Sequence, residues 1–301
     1  MNKLNYIKHA KIDVTKWNAC IEQSAQSLPY AYTWYLNCVA QNWDALVLND
    51  YEIVMPLVYL RKLGVACIYQ PYYCQQLGLF GNNLSAETAS LFIKTATSKF
   101  PYIQMNLNPT AAIIASEFEF ITKKNLLLPL NKSYTETQQH FTENHKRNIN
   151  KAIKSGYVFS GKNELDLFQK FYFKNINPAK ETVKPKHQKI FTDLSNTLLQ
   201  KQLATIYSIV DKKGNLCAAC LLIKHHNRLI GIINTSSLEG KKNGASHYLF
   251  STIIERFSQS DFTLDFEGSS IAGIARFYEG FGAQPEYFYT YKTHLLSRFI
   301  N

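Results

Sequence analysis

Nothing in this 301-residue sequence approaches the roughly 20 consecutive apolar residues that a membrane-spanning helix needs. The opening stretch, MNKLNYIKHAKIDVTKW, holds no apolar run of signal-peptide length. Both absences lead to the expectation of a cytoplasmic protein without a transmembrane segment. Disordered tails are missing too, and 46% hydrophobic with 18% charged residues describes a globular chain long enough for two ordinary domains. Acidic residues are the scarcer charge, 22 against 33 Lys and Arg, which leaves a net +11. That excess favours anionic partners such as phosphates, nucleic acid or an anionic membrane surface, without choosing among them.

Metal and redox motifs are also lacking. The six cysteines are scattered in mostly apolar surroundings, as reduced core thiols are. Cys217 and Cys220 have redox spacing, but LCAACLLI reads as a strand, where an offset of three sends the two sulfurs to opposite faces. His225 and His226 precede Asn227 in an apparent hairpin turn with no acidic or cysteine ligand at metal-binding spacing. No metal site is expected.

What is present is a succession of helices and short strands. In the first half a strand at residues 4–8 leads to a helix capped by Asp13, with Val14, Trp17 and Ile21 at helical spacing. A second helix follows Pro29. Closely spaced strands come next, the second interrupted by Pro56, which marks an edge or a bulge, and a turn falls at Leu63-Gly64. The aromatic and glutamine-rich stretch of residues 69–81 reads either as a buried cap on a sheet or as a pocket wall. In the second reading Tyr69, Tyr72, Tyr73, Gln75 and Gln76 offer stacking and hydrogen bonds to a polar substrate. A helix capped by Ser85, a further strand and a hairpin at residues 117–130 close a first unit.

Residues 131–133 read as a linker, dividing the chain into domains 1–130 and 131–301. The second half repeats the order of elements without repeating the residues. It opens with one helix, TQQHFTENHKRNINKAIKSG, on which Arg147, Lys151 and Lys154 form a basic stripe. A lysine-rich loop at residues 177–188, strands around residues 203–236, a glycine-containing loop at residues 237–246 and a helix follow. Helices mixed with largely antiparallel strands make the class α+β, or mixed α/β.

The stretch of residues 262–283, FTLDFEGSSIAGIARFYEGFGA, organises the rest. Phe262, Leu264 and Phe266 alternate with Thr263, Asp265 and Glu267, which predicts one buried and one polar strand face with two carboxylates on the latter. Ser269 or Ser270 is a suitable cap for a helix whose buried face would be Ile271, Ile274, Tyr278 and Phe281, and Gly280 and Gly282 would end it.

This order, ending on a helix with the tyrosine of YEGFG, resembles the GNAT superfamily of acyl-CoA-dependent N-acyltransferases. The stretches HKRNINKAIKSGYVF and LDFEGSSIAGIARFYEGFGA, with the two-unit layout, look more like its FemAB-like branch. That branch includes aminoacyltransferases using aminoacyl-tRNA in peptidoglycan synthesis, and many bacterial proteins. The resemblance implies two tandem GNAT-like domains, each a largely antiparallel twisted sheet flanked by helices. It also implies transfer of an acyl or aminoacyl group to an amine, carried by a small molecule or an envelope precursor. Acyl-CoA or aminoacyl-tRNA would be a co-substrate, with no tightly bound cofactor.

Tyr278 falls at the position of the tyrosine that protonates the leaving group. Glu267 is the general-base candidate and Asp265 its runner-up, unless both are turn or cap carboxylates. The loop that cradles pyrophosphate corresponds to Lys241, Lys242, Asn243, Gly244, Ala245 and Ser246, where Lys241 and Ser246 depart from the superfamily pattern. Backbone amides near Asn234 and Thr235 would polarise the acyl carbonyl. Arg147 and Lys151, with Lys154 and the loop lysines Lys180, Lys184, Lys186 and Lys189, would track the phosphates of a tRNA. A non-catalytic GNAT-fold binding module for a phosphate-bearing or nucleic-acid partner is the alternative.

Overall fold

The structure, a computed structural model, describes residues 3–110, 117–176, 185–268 and 271–293. Strand β1 (Leu4–Ile7) pairs antiparallel with β2 (Asn42–Leu48), β2 with β3 (Ile53–Lys62), and β3 with β4 (Val65–Ile68). Helix α1 (Val14–Gln23) begins where Asp13 Oδ1 accepts from the N–H groups of Thr15 and Lys16, and it buries Trp17, Cys20 and Ile21. Val14, expected on that face, is exposed. Helix α2 (Thr33–Val39) follows. Pro56 pairs with Ala45 on one side. On the other side the two-residue β5 (Phe80–Gly81) takes Ile53 and Val54 while β4 takes Tyr59 to Lys62, so the proline falls in a gap between ladders. Helix α3 (Ala86–Lys99), capped by Ser85, returns the chain to β6 (Tyr102–Leu107), which runs parallel to β4. Leu46, Met55, Phe92, Ile93 and Ile103 lie in the core of this unit.

The second unit builds the same arrangement. Strand β7 (Phe120–Pro129) is followed by α4 (Tyr134–Gln139) and α5 (Glu143–Lys154). The single helix expected here is two, because Thr142 caps a fresh start after a turn at His140, and Ser133 with Glu136 forms a capping box on the first. Then come β8 (Val158–Ser160), α6 (Leu165–Asn175), α7 (Pro185–Gln200), β9 (Ala204–Val210), β10 (Leu216–His225) and β11 (Arg228–Ser236). His226 and Asn227 make the hairpin turn between the last two. Helices α8 (Leu238–Lys242) and α9 (Ala245–Arg256) lead to β12 (Thr263–Asp265), which lies parallel to β11, and to α10 (Ala272–Glu279). The order in this unit is β7-β12-β11-β10-β9-β8. Leu126, Ile149, Leu249, Phe250, Leu264 and Phe281 lie in its core.

Each unit thus has three antiparallel strands, a helix, and a strand parallel to the third, which makes the class mixed α/β with largely antiparallel sheets. The compact units are residues 1–123 with 287–301, and residues 124–286. This division differs from a single cut at residue 130. Residues 120–129 form one strand instead of half a hairpin, and its end pairs with β12 of the second unit. The final strand, β13 (Gln284–Lys292), read as the end of the second unit, pairs through Tyr289 to Lys292 with β6 of the first.

Candidate active site

The parallel ladder between β11 and β12 is short. It runs from Arg228↔Thr263 to Ile230↔Asp265, after which β11 continues beside β10 alone to Ser236. The chain beyond Asp265 turns away from β11. Phe266 donates its N–H to the Leu126 carbonyl, and Glu267 and Gly268 both take positive φ, 52° and 35°. A Cβ on Gly268 would lie 2.4 Å from the Asn125 Cα, so glycine is required for this close passage. The two parallel strands part at their C-terminal ends, the usual place for a ligand beside such strands. Asn234 and Thr235 lie in the part of β11 that has left β12.

Tyr278 enters this region from α10. Its ring stacks on Phe266 at 4.5 Å and meets Phe250 edge-on at 5.8 Å. Burial holds the phenol well above its ordinary range, an interaction with the Asn234 side chain pulls it back, and the Cys220 thiol and Glu267 carboxylate push it further up. Asn234 Oδ1 is itself buried and has no hydrogen-bond partner among the described residues. The buried face of α10 is Ala275 with Tyr278, continued by Phe281; Ile271 and Ile274, expected on it, are exposed at 49% and 38%. Gly280 caps the helix and the Gly282 N–H bonds back to Glu279. Ser269 and Ser270 lie outside the described residues.

The two carboxylates do not share a polar face. Leu264, Asp265 and Phe266 are all buried, because β12 is an interior strand flanked by β11 and β7. Asp265 accepts from Arg228 Nη1 at 3.1 Å, from Asn125 Nδ2 at 3.0 Å and from the Glu267 N–H at 2.8 Å. Arg228 also binds Glu286 through Nη2 at 2.7 Å. Burial raises the Asp265 carboxyl and the Arg228 guanidinium draws it down. This is an internal ion pair with few lone pairs left for substrate, so Asp265 supports the turn and Glu267 is the carboxylate left to act, its charge acting on Tyr278.

Residues 237–246, read as a loop, are mostly helical. Ser237 caps α8 by accepting from the Gly240 N–H, and a Cβ on Gly240 would stand 2.0 Å from the Cys217 carbonyl oxygen. The N–H groups of Lys241, Asn243 and Gly244 bond to Ser237, Glu239 and Lys241 carbonyls, so they are not free to cradle a pyrophosphate. Gly244 has φ 77°, and a Cβ there would lie 2.3 Å from the Asn148 carbonyl oxygen of α5. Its glycine is therefore set by helix packing. Ala245 and Ser246 open α9, and no side chain caps it. Of residues 241–246 only this first turn keeps N–H groups for a phosphate; those of Lys241, Asn243 and Gly244 are spent.

On α5 the stripe is exposed as expected. Arg147 donates to Asn144 Oδ1 at 2.9 Å, Lys151 Nζ donates to the Lys242 carbonyl at 2.9 Å, and Lys154 stands in the last turn. Lys186 and Lys189 begin α7, Lys189 bonding Asp193 at 2.8 Å; Lys180 and Lys184 lie outside the described residues.

The glutamine-rich stretch belongs to the first unit, where β6 fastens it. Asn106 donates its main-chain N–H to Gln70 Oε1 and its Nδ2 to the Gln75 carbonyl, both at 2.8 Å. Tyr73, at φ 59°, accepts on its carbonyl from the Tyr35 hydroxyl, Tyr69 is partly buried with its phenol raised by burial, and Tyr72 is exposed. Gln76 is 1% exposed; its Nε2 donates to Gln75 Oε1, while its own Oε1 has no partner among the described residues.

Three residues of this unit were not singled out from the sequence. Arg228 stood out only as the first residue of a strand. His145 is buried with Ile149 and Ala152 at helical spacing, a pattern that does mark it as an inward residue. Its Nε2 lies 2.7 Å from the Phe277 carbonyl, which can only accept, so Nε2 carries the proton and Nδ1 accepts from the Thr142 hydroxyl at 2.8 Å. His247, in the first turn of α9, meets the His145 ring edge-on at 4.7 Å and Phe277 at 4.9 Å. Among the described residues no group of His, Cys, Asp and Glu is placed to hold a metal ion.

No protein-family model matches the chain, and no curated protein matches it in sequence. Solved structures do. FemX is similar over 96% of this chain and 97% of its own, with a TM-score of 0.68 at 12% identity. The C-terminal domain of a putative lysylphosphatidylglycerol synthetase from Agrobacterium fabrum matches over 94% and 91%, with a TM-score of 0.56 at 9% identity. L-PGS from Bacillus licheniformis matches over 86% and 89%, with a TM-score of 0.54 at 13% identity. The chain has a FemAB-like, GNAT-type fold. No helix among the described residues is long and apolar enough to cross a membrane.

Proposed function

We propose that this protein is a FemAB-like N-acyltransferase that moves an aminoacyl group from aminoacyl-tRNA to an amine, in bacterial cell-envelope synthesis at the cytoplasmic side. The observation that carries the reading is the parting of β11 from β12 beyond Asp265, next to which Tyr278 stacks on Phe266 and interacts with the Asn234 side chain and the Glu267 charge. In the reaction the acceptor nitrogen attacks the ester carbonyl, the C–N bond forms and the C–O bond to the ribose breaks. Glu267 takes the proton from nitrogen. The Tyr278 hydroxyl gives one to the departing oxygen; its raised pKa keeps it protonated until that moment. Asp265 holds the Glu267 turn.

The choice of donor rests on Lys241, Asn243 and Gly244, whose amides are spent inside α8 and its cap, and on the cations along α5. Thermal stability in parallel with bulk tRNA, coenzyme A and acyl-CoAs tests it. A ligand at about 100 times its dissociation constant adds roughly 2.7 kcal/mol. A salt-sensitive shift with tRNA alone is expected; a shift with coenzyme A alone overturns the donor, and none with any of them favours a binding module. With an activity in hand, Tyr278→Phe and Glu267→Gln should each lower turnover by about 100-fold or more. Unchanged turnover in both sinks the assignment.

A further inference from the structure

The β3–β4 hairpin leaves the sheet of its unit. Strand β2 accompanies β3 only as far as Asn42↔Tyr59, and β6 meets β4 only from Tyr102↔Cys67 onward. Residues 60–66 therefore project as a two-stranded finger, held by Leu60↔Cys67, Arg61↔Ala66 and Lys62↔Val65. At its tip Leu63 and Gly64 both have positive φ, 48° and 83°. A two-residue turn of this kind takes Asn or Asp in the first place, and a leucine there is strained. Leu63 is also wholly exposed at 104%, and Val65 is 41% exposed. Arg61, which donates to the Gly64 carbonyl at 3.1 Å, and Lys62 flank the leucine, both exposed. No acidic residue occurs between Glu52 and Glu87.

We infer that this finger is a surface anchor for an anionic lipid bilayer, with Leu63 entering the outer acyl layer while Arg61 and Lys62 meet headgroup phosphates. A leucine held in a strained turn and fully hydrated is unfavourable twice over, and nothing among the described residues of its own unit covers it. RNA would engage the two cations but has no place for the leucine. An anionic bilayer supplies both complements in one surface, negative charge above an apolar layer. The net +11 adds longer-range attraction to the same surface. This anchor does not rest on the transferase reading.

The test is sedimentation of the full chain with vesicles of phosphatidylcholine alone and of phosphatidylcholine mixed with phosphatidylglycerol. The wild type is expected to bind the mixed vesicles, less so as salt rises. Leu63→Asn should lower the partition coefficient about tenfold or more. Its melting temperature should hold or rise, because asparagine suits the turn. Leu63→Trp should restore binding. The inference is overturned if the wild type ignores anionic vesicles, if Leu63→Asn binds as the wild type does, or if its melting temperature falls, since the leucine would then be holding the fold. Binding to tRNA that persists in Leu63→Asn, without binding to vesicles, would assign the cations to RNA instead.

Discussion

The main-chain N–H of Glu267 donates to Asp265 Oδ1 across 2.8 Å, so one carboxylate holds the turn that carries the other. Arg228 holds Asp265 in turn, and it also holds Glu286. Removing the guanidinium leaves a carboxylate that is 1% exposed close to a second one, with Asn125 donating to both. Arg228→Ala is expected to cost about 3 to 5 kcal/mol in urea unfolding. Asp265→Asn keeps an acceptor for the Glu267 N–H and should cost less. An Arg228→Ala protein as stable as the wild type would show that the network carries no stability.

A second prediction concerns pH. Burial, and then the neighbouring His145, lower the His247 pKa to about 4, against an ordinary value of 6.5. Burial lowers His145 as well. A base whose folded pKa is depressed contributes stability above its unfolded pKa and loses it as pH falls toward the folded one. Stability should therefore decline between pH 6.5 and 4, by on the order of 3 kcal/mol from His247. His247→Gln should flatten the slope of unfolding free energy against pH in that window; an unchanged slope places the charge-sensitive step elsewhere.

A third prediction follows from Gly280. A Cβ there would lie 1.9 Å from Cε1 of His145, whose ring is pinned at both nitrogens. Gly280→Ala should cost about 3 kcal/mol or more, at the upper end of overpacking. Combining it with His145→Ala, which vacates the ring, should recover part of that loss. Strict additivity of the two in thermal unfolding would count against direct conflict between them.

Much of this architecture is legible in local chemistry. Asp13 and Ser85 announce their helices because a side-chain oxygen followed by periodic apolar residues has one plain use, and the Pro56 interruption marks where a ladder is absent. The 262–267 alternation misleads for a physical reason. A polar residue on a strand reads as solvent-facing unless its partner is known, and Asp265 finds that partner 37 residues earlier, in Arg228. Glycines mislead similarly. Gly244 looks like part of a phosphate loop, yet the carbonyl of Asn148 fills the space where a Cβ would stand. Tyr278 was legible as an inward residue. Ile271 and Ile274 were not legible as exposed, since helical spacing identifies a stripe but not what covers its first turn.

The order of synthesis gives the late completion of each unit's sheet a further meaning. Strand β7 leaves the ribosome before every other part of the second unit, and its partner β12 arrives almost last. Strand β6 must wait longer still, for residues 289–292. Until those residues emerge, the side of β6 that β13 will cover is a bare row of N–H and C=O groups in a nascent chain. A chain released before residue 287 would keep that bare edge for life, exposed to pairing with other chains and in need of a chaperone.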